Sequence, residues 1–191
     1  MAAEVTDAEV LVRCLDEPSA FGELYARHGA AVMRYVARRV GAAVGEDLTA
    51  EVFARAFRDR ASCRCDHGSA LPWLLGVASH VIGDHRRFER RRLESIKRWA
   101  ADAPGLVSHE DASLAPELVN ALRRLPTEHR DTLLLVVWGE LSYEEAAVAL
   151  NVPVGTVRSR ISRARRRMVA ALALDASSST RELRAEGETN V

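Results

Sequence analysis

LSYEEAAVALNVPVGTVRSRISRARRRM, residues 141–168, decides how the C-terminal part of this 191-residue chain folds. Ser142 followed three residues later by Glu145 is a capping box: hydroxyl and carboxylate satisfy amide donors left free at a helix start. Ala146 and Ala147 are small enough to let a second helix pack close. Leu150-Asn151-Val152 supplies an apolar anchor and a turn, since Asn tolerates left-handed backbone geometry. Pro153 has no amide hydrogen and suits the opening of the next helix. On that helix Val157, Ile161, Ala164 and Met168 follow a 4-3-4 spacing and must face the interior. At roughly 100° per residue, the outward face then holds Ser159, Ser162, Arg163 and Arg166, with Arg158 at its edge and Gly155 and Thr156 at the helix start. Arginine grips guanine bidentately, serine serves base or phosphate, and a helix N-terminus favours phosphate. The stretch therefore reads as a helix-turn-helix whose second helix fits a major groove.

Working outward, the whole chain is 48% hydrophobic, 28% charged and 5% aromatic, with 11 Gly and 6 Pro. That composition describes a globular protein and favours helices over a β-sandwich. Three cysteines and no secretory leader point to a reducing cytoplasm and against a disulfide scaffold. No apolar stretch nears the ~20 residues of a membrane helix, so membrane insertion is not expected.

The net charge of zero hides a strong pattern. Residues 86–98 (RRFERRRLESIKR) hold seven basic residues against two acidic ones, and residues 158–167 hold six basic and no acidic residue. Between them, residues 101–117 carry Asp102, Glu110, Asp111 and Glu117 and no base. Two basic islands separated by an acidic strip suggest two polyanion-facing surfaces on a neutral molecule.

Nearly everything else reads as helix, and no segment reads as a strand. Thr6-x-x-Glu9 is a second capping box, after which Ala8, Leu11, Val12 and Leu15 share a face. Pro18 restarts the chain; Phe21, Leu24 and Tyr25 begin a helix that Gly29 interrupts or bends, and Val32, Met33, Val36 and Val40 continue the stripe to Gly41. Residues 46–58 put Leu48, Val52 and either Phe53 or Phe57 on one side, and Arg60 to Gly68 is the first loop. One long helix follows from Leu71 to about Arg98, with Trp73, Leu74, Val77, Val81 and Phe88 inward. Residues 100–115 have Pro, Gly, Ser, acids and no period. They predict a flexible acidic linker between an N-terminal domain, 1–99, and a C-terminal helix-turn-helix domain, 116–174. The segment 175–191 is Ser-, Thr- and Glu-rich and predicts a disordered tail. The fold class is all-α, in two small domains.

At this point the chain resembles a known family. NVPVGTVRSRISRAR is similar to the promoter-upstream-element domain of bacterial sigma factors of the extracytoplasmic-function group, and LRRLPTEHRDTLLL resembles the opening of that domain. EDLTAEVFARAF followed by WLLGVASHVIGDHRR resembles the group's polymerase-binding and promoter-melting domain. The resemblance covers about residues 18 to 170 in the family's order.

The resemblance implies a sigma factor that binds core RNA polymerase, at the clamp helices of beta-prime and the flap of beta, and directs promoter-specific initiation. It implies polymerase contacts at Asp47, Leu48, Glu51, Val52 and Phe53, with Ala50 where the family usually has Gln. It assigns the loop 60–70 and the start of the long helix to the minus-ten element, with Ser79, His80, Gly83, Asp84, Arg86 and Arg87 at the DNA and a base held out of the stack. His80 stands where most members carry Asn, and Trp73 matches a family Trp that packs inward. Gly155, Thr156, Arg158, Ser159, Ser162, Arg163 and Arg166 fall on the positions that read the minus-thirty-five element, the same face the helical arithmetic selects. Arg165, Arg166 and Arg167 suit phosphates, which position a protein without carrying sequence information. An anti-sigma factor, promoter DNA and a cytoplasmic location are implied; no cofactor and no catalytic residue are.

Rival readings rest on fewer residues. Cys63-x-Cys65-x-His67, with His80 or His85, has ligand chemistry for zinc or copper, but lacks the distant second pair of a structural zinc site. An enzyme built on His80-x3-Asp84-His85 lacks a second carboxylate cluster, a phosphate loop and a nucleophile elbow. A helix-turn-helix regulator acting without polymerase is the remaining alternative, and it leaves the N-terminal residues unexplained.

Overall fold

The computed structural model describes the backbone of residues 5–63, 68–99 and 115–188, and the side chains of 5–63, 68–92 and 115–173. Among the described residues eight α-helices follow one another: α1 (Asp7–Asp16), α2 (Phe21–Val40), α3 (Ala42–Arg58), α4 (Leu71–Trp99), α5 (Pro116–Arg123), α6 (Thr127–Val137), α7 (Tyr143–Leu150) and α8 (Val154–Glu188). Single 3-10 turns at Pro18–Ala20 and Arg60–Ser62 complete the secondary structure, and the described residues contain no strand. The expected linker 100–115 lies, except for Ala115, outside the described residues.

Local chemistry sets the helix ends. The Thr6 hydroxyl accepts from the Glu9 amide at 3.3 Å while the Glu9 carboxylate accepts from the Thr6 amide at 2.7 Å, so the first capping box forms as read. Gly41 alone separates α2 from α3 and does so at φ +82°, a conformation that L side chains rarely adopt.

Helices α2, α3 and α4 pack around Tyr35, Leu24, Val32, Val36, Val52, Leu74 and Ile82, all 1% exposed or less. A T-shaped aromatic group of Phe21 against Phe53 and Phe57, with Tyr25 against Phe53, closes one end. Helix α1 is fastened across this unit by one carboxylate. Asp7, itself 5% exposed, accepts from Arg27 at 2.8 Å, pairs with His28 at 2.6 Å, and caps the start of α4 through the Ala70 amide at 2.7 Å. In the C-terminal half, Leu135, Val157, Ile161 and Ala164 form the centre around which α5, α6, α7 and α8 assemble.

Several helix faces differ from the expected ones. Asp7, Val10, Leu11 and Cys14 line the inner face of α1, while Val12 and Leu15 are exposed. Both sets satisfy helical spacing; the Asp7 network selects between them by rotating α1 about one residue. Gly29 does not interrupt α2, which runs from Phe21 to Val40 with the Tyr25 ring beside the glycine. Phe88 is 64% exposed, since α4 outruns its partners: Arg86 already reaches the Arg39 carbonyl at the end of α2. Leu75, Ala78 and Ile82 fill the interior instead. The backbone of α8 is helical to Glu188, through the stretch whose composition predicts disorder. An established helix extends cheaply into VAALALDASSSTRELRAE, which is rich in good helix formers.

Candidate nucleic-acid interface

The helix-turn-helix forms from the chemistry that its sequence specifies. Ser142 and Glu145 exchange the two bonds of a capping box at 2.8 and 3.1 Å. Asn151 ends α7 in the left-handed region, φ 51° and ψ 50°, and its amide donates back to the Ala147 and Val148 carbonyls. The Pro153 carbonyl then takes the Thr156 amide at 2.8 Å, starting α8 one residue after the proline.

Val157, Ile161 and Ala164 are at most 2% exposed, so the rotation of α8 is fixed. Gly155, Arg158, Ser162, Arg163 and Arg166 are consequently exposed, while Thr156 and Ser159 are half-buried at the rim. The Ser159 hydroxyl donates to the Thr156 carbonyl at 2.9 Å, which leaves its oxygen free to accept. Arg158 rests near Glu144 at 3.7 Å, an exposed pair weak enough to exchange for a phosphate. His129 sits beside this face: burial, then the charges of Arg167, Arg163 and Arg160, push its imidazole below the usual range.

The surface expected at the minus-ten element is divided. His80 and Arg87 are exposed, Gly83 and Arg86 half-buried. Asp84 pairs with Arg55 at 2.9 Å and with Arg87, and the Arg55 bond, followed by Arg87, holds its carboxyl below the ordinary range. Two arginines thereby neutralise this carboxylate, and Arg55, which sequence reasoning missed, stands beside the residues expected at the minus-ten element. Ser79 is 7% exposed; its hydroxyl donates to the Leu75 carbonyl and shares a hydrogen bond with the Tyr35 hydroxyl, both at 3.0 Å, so its side chain lies in the interior.

On α3, Asp47 and Glu51 are exposed and Leu48 half-buried. Val52 and Phe53 are 0% and 6% exposed, so the structure places both side chains in the interior. A groove of about 280 Å³ runs between α3 and α4, with Leu48, Glu51, Val81 and Phe88 in its walls. Cys65 and His67 lie outside the described residues, and no group of three or more metal-binding side chains occurs among the described ones. None of the helices searched among those residues is long and apolar enough to cross a membrane.

Residues 24–92 match Sigma-70 region 2, and residues 116–168 match Sigma-70, region 4. The ECF RNA polymerase sigma factor SigC of Mycobacterium tuberculosis is 36% identical over 145 residues, covering 73% of this chain and 76% of that protein. The chain belongs to the ECF RNA polymerase sigma factors. The ECF RNA polymerase sigma-E factor of Escherichia coli is 31% identical over 180 residues, 86% of this ECF sigma factor and 93% of its relative. Among solved structures, CnrH in complex with the cytosolic domain of CnrY has the same fold, with a TM-score of 0.59, 24% identity and coverage of 87% and 96% of the two chains. As an ECF sigma factor, the protein acts in promoter-directed initiation of transcription; a helix-turn-helix regulator independent of polymerase is not favoured, because the region 2 match accounts for α2 to α4.

Proposed function

We propose that this ECF sigma factor carries core RNA polymerase to its promoters through three surfaces. Asp47, Leu48 and Glu51 on α3 meet the clamp helices of beta-prime. His80, Gly83, Asp84, Arg86 and Arg87, with Arg55, hold the opened minus-ten strand. Gly155, Thr156, Arg158, Ser159, Ser162, Arg163 and Arg166 read the minus-thirty-five element. The observation that carries the reading is the outward face of α8: an arginine- and serine-bearing surface, rotated into solvent by a buried Val157–Ile161–Ala164 stripe and aimed by a capped turn.

The chemistry divides accordingly. Arginine at a guanine edge supplies discrimination, and further arginines on phosphate supply affinity that falls with salt. An acidic, partly apolar α3 face complements a basic coiled coil. The beta flap would take the C-terminal half. The chain itself makes no bond; the polymerase does. The division follows residues 1–99 and 116–174, and the place of action is the cytoplasm. An anti-sigma factor would find apolar side chains already in solvent, Val12 and Leu15 on α1 and Tyr25 on α2.

Run-off transcription with core RNA polymerase on sheared genomic DNA of the source organism tests the reading. Discrete start sites that need both components are expected, and the DNA upstream of them supplies both promoter elements. DNA binding without core enzyme and no new start would overturn it.

A further inference from the structure

One exposed face of α4 reads His80, Asp84, Arg87 and Arg91, at intervals of four, three and four residues. Two of these side chains are cations, one is an imidazole, and one is an anion. A phosphodiester strand laid along that face meets the Asp84 carboxylate between His80 and Arg87, and like charges this close repel. The carboxylate is answered twice. Arg87, one turn on, pairs with one of its oxygens, and Arg55 reaches across from α3 to the other at 2.9 Å. Glu51, one turn before Arg55 on the same helix, pairs with Arg58 at 3.4 Å, so the two acids divide the α3 arginines between them.

The two arginines are not equivalent. Arg55 is half-buried and borders two hollows, the groove of Leu48, Val81 and Phe88 on one side and a cleft with Trp73 and Val77 on the other. Apolar neighbours on both sides strengthen its bond to Asp84 relative to one in open water. Arg87 projects from α4 into solvent, and its pairing with Asp84 is of the weak, exchangeable kind found between exposed groups. Of its two cations, Asp84 can therefore give up Arg87 far more easily than Arg55.

We infer that Arg55 is a positioning residue for the opened strand: by holding Asp84 it lets Arg87 leave that carboxylate for a backbone phosphate of single-stranded DNA. The inference rests on the proposed minus-ten site. Before a strand arrives, Asp84 shares its two oxygens between the two arginines. When a phosphate takes Arg87, Asp84 stays paired with Arg55 and does not become an uncompensated anion beside DNA. Without Arg55 the same exchange would leave the carboxylate bare next to the phosphate, so Arg87 would stay where it is and the contact would be lost. Arg55 acts through Asp84 and needs no contact with DNA of its own.

The test uses holoenzyme isolated by gel filtration, so that assembly with core polymerase is not what is read. The probe is a labelled single strand carrying the minus-ten element of a promoter mapped by run-off transcription, titrated at several salt concentrations. Arg55→Ala should weaken binding about tenfold and flatten the slope of log affinity against log salt by about 0.7, the share of one phosphate on a single strand. Arg55→Lys keeps a cation opposite the carboxylate and should stay within about threefold of wild type. Asp84→Asn alone should tighten binding about threefold, because Arg87 is released. The deciding variant is Arg55→Ala combined with Asp84→Asn: with no anion left to hold Arg87, affinity and salt slope should return to those of Asp84→Asn alone. A direct phosphate contact by Arg55, or a purely structural role, would leave the double variant as weak as Arg55→Ala, and that result overturns the inference. Wild-type affinity in Arg55→Ala overturns it as well. Should Arg55→Ala lose its helix content by circular dichroism, Asp84→Asn decides, and weaker binding than wild type refutes the exchange. A wild type that initiates but ignores all these substitutions defeats the inference alone; a wild-type holoenzyme that starts no transcription defeats the minus-ten reading and the inference with it.

Discussion

Arg163 shows how much a single side chain can be asked to carry. It stands exposed on the outward face of α8, one residue before buried Ala164, so its substitution leaves the interior untouched. Arg163→Ala should weaken recognition of promoters with an intact upstream element by about 1–3 kcal/mol and relax preference at one base pair. Run-off assays on a randomised element would read both, and an unchanged preference would remove Arg163 from base reading. Asp7 carries a different kind of load. Burial alone would raise its carboxyl, but the Ala70 amide, His28 and Arg27 together hold it below its ordinary value of 3.8. A lowered native pKa means that this stabilisation is present above pH ~4 and is lost as pH falls through the native value. Asp7→Ala should cost about 2–4 kcal/mol in a urea titration at pH 7 and flatten the acid limb of stability. His129 works with the same sign at a higher pH. Its native value lies below the ordinary 6.5, so neutral imidazole favours the folded C-terminal half and melting temperature should drop as pH falls below about 6.5. His129→Leu should remove that segment of the pH dependence.

At the scale of elements, caps and turns decide where helices stop, and helix rotation decides which residues meet a partner. Asn151 is left-handed between two helices whose relative angle aims α8. Asn151→Val should cost about 1–2 kcal/mol, because a β-branched side chain resists that conformation, whereas Asn151→Gly should cost little. Thermal melts of both variants check the difference. Rotation was legible for α8 because four apolar residues in 4-3-4 spacing admit one inward face. It was not legible for α1, where Ala8, Leu11, Val12 and Leu15 compete with Val10, Leu11 and Cys14 at a rotation of one residue. A hydrogen-bonded carboxylate, invisible to an apolar pattern, settled it. Apolar spacing was equally silent on Ser79, whose hydroxyl pairs with Tyr35 on α2.

For the whole molecule, the sequence by itself determined an all-α chain, both capping boxes, the helix-turn-helix, its outward face and the resemblance to sigma factors. The capping boxes and the outward face are written in spacings of three and four residues, where the energetics are those of neighbours on one helix, and the resemblance in the order of such local motifs. Tertiary structure alone decided what faces α4. The Gly76–Ala149 contact joins residues 73 positions apart, and Arg39 meets Asp131 across 92. Neither pair leaves a periodic trace, because a glycine at a crossing and an arginine at a helix end look alike whether exposed or covered. Burial of Val52 and Phe53, and exposure of Phe88, followed from which helices surround α3 and where α4 outruns them. Spacing along a helix states which residues share a side; only the neighbouring helices determine whether that side is interior or free.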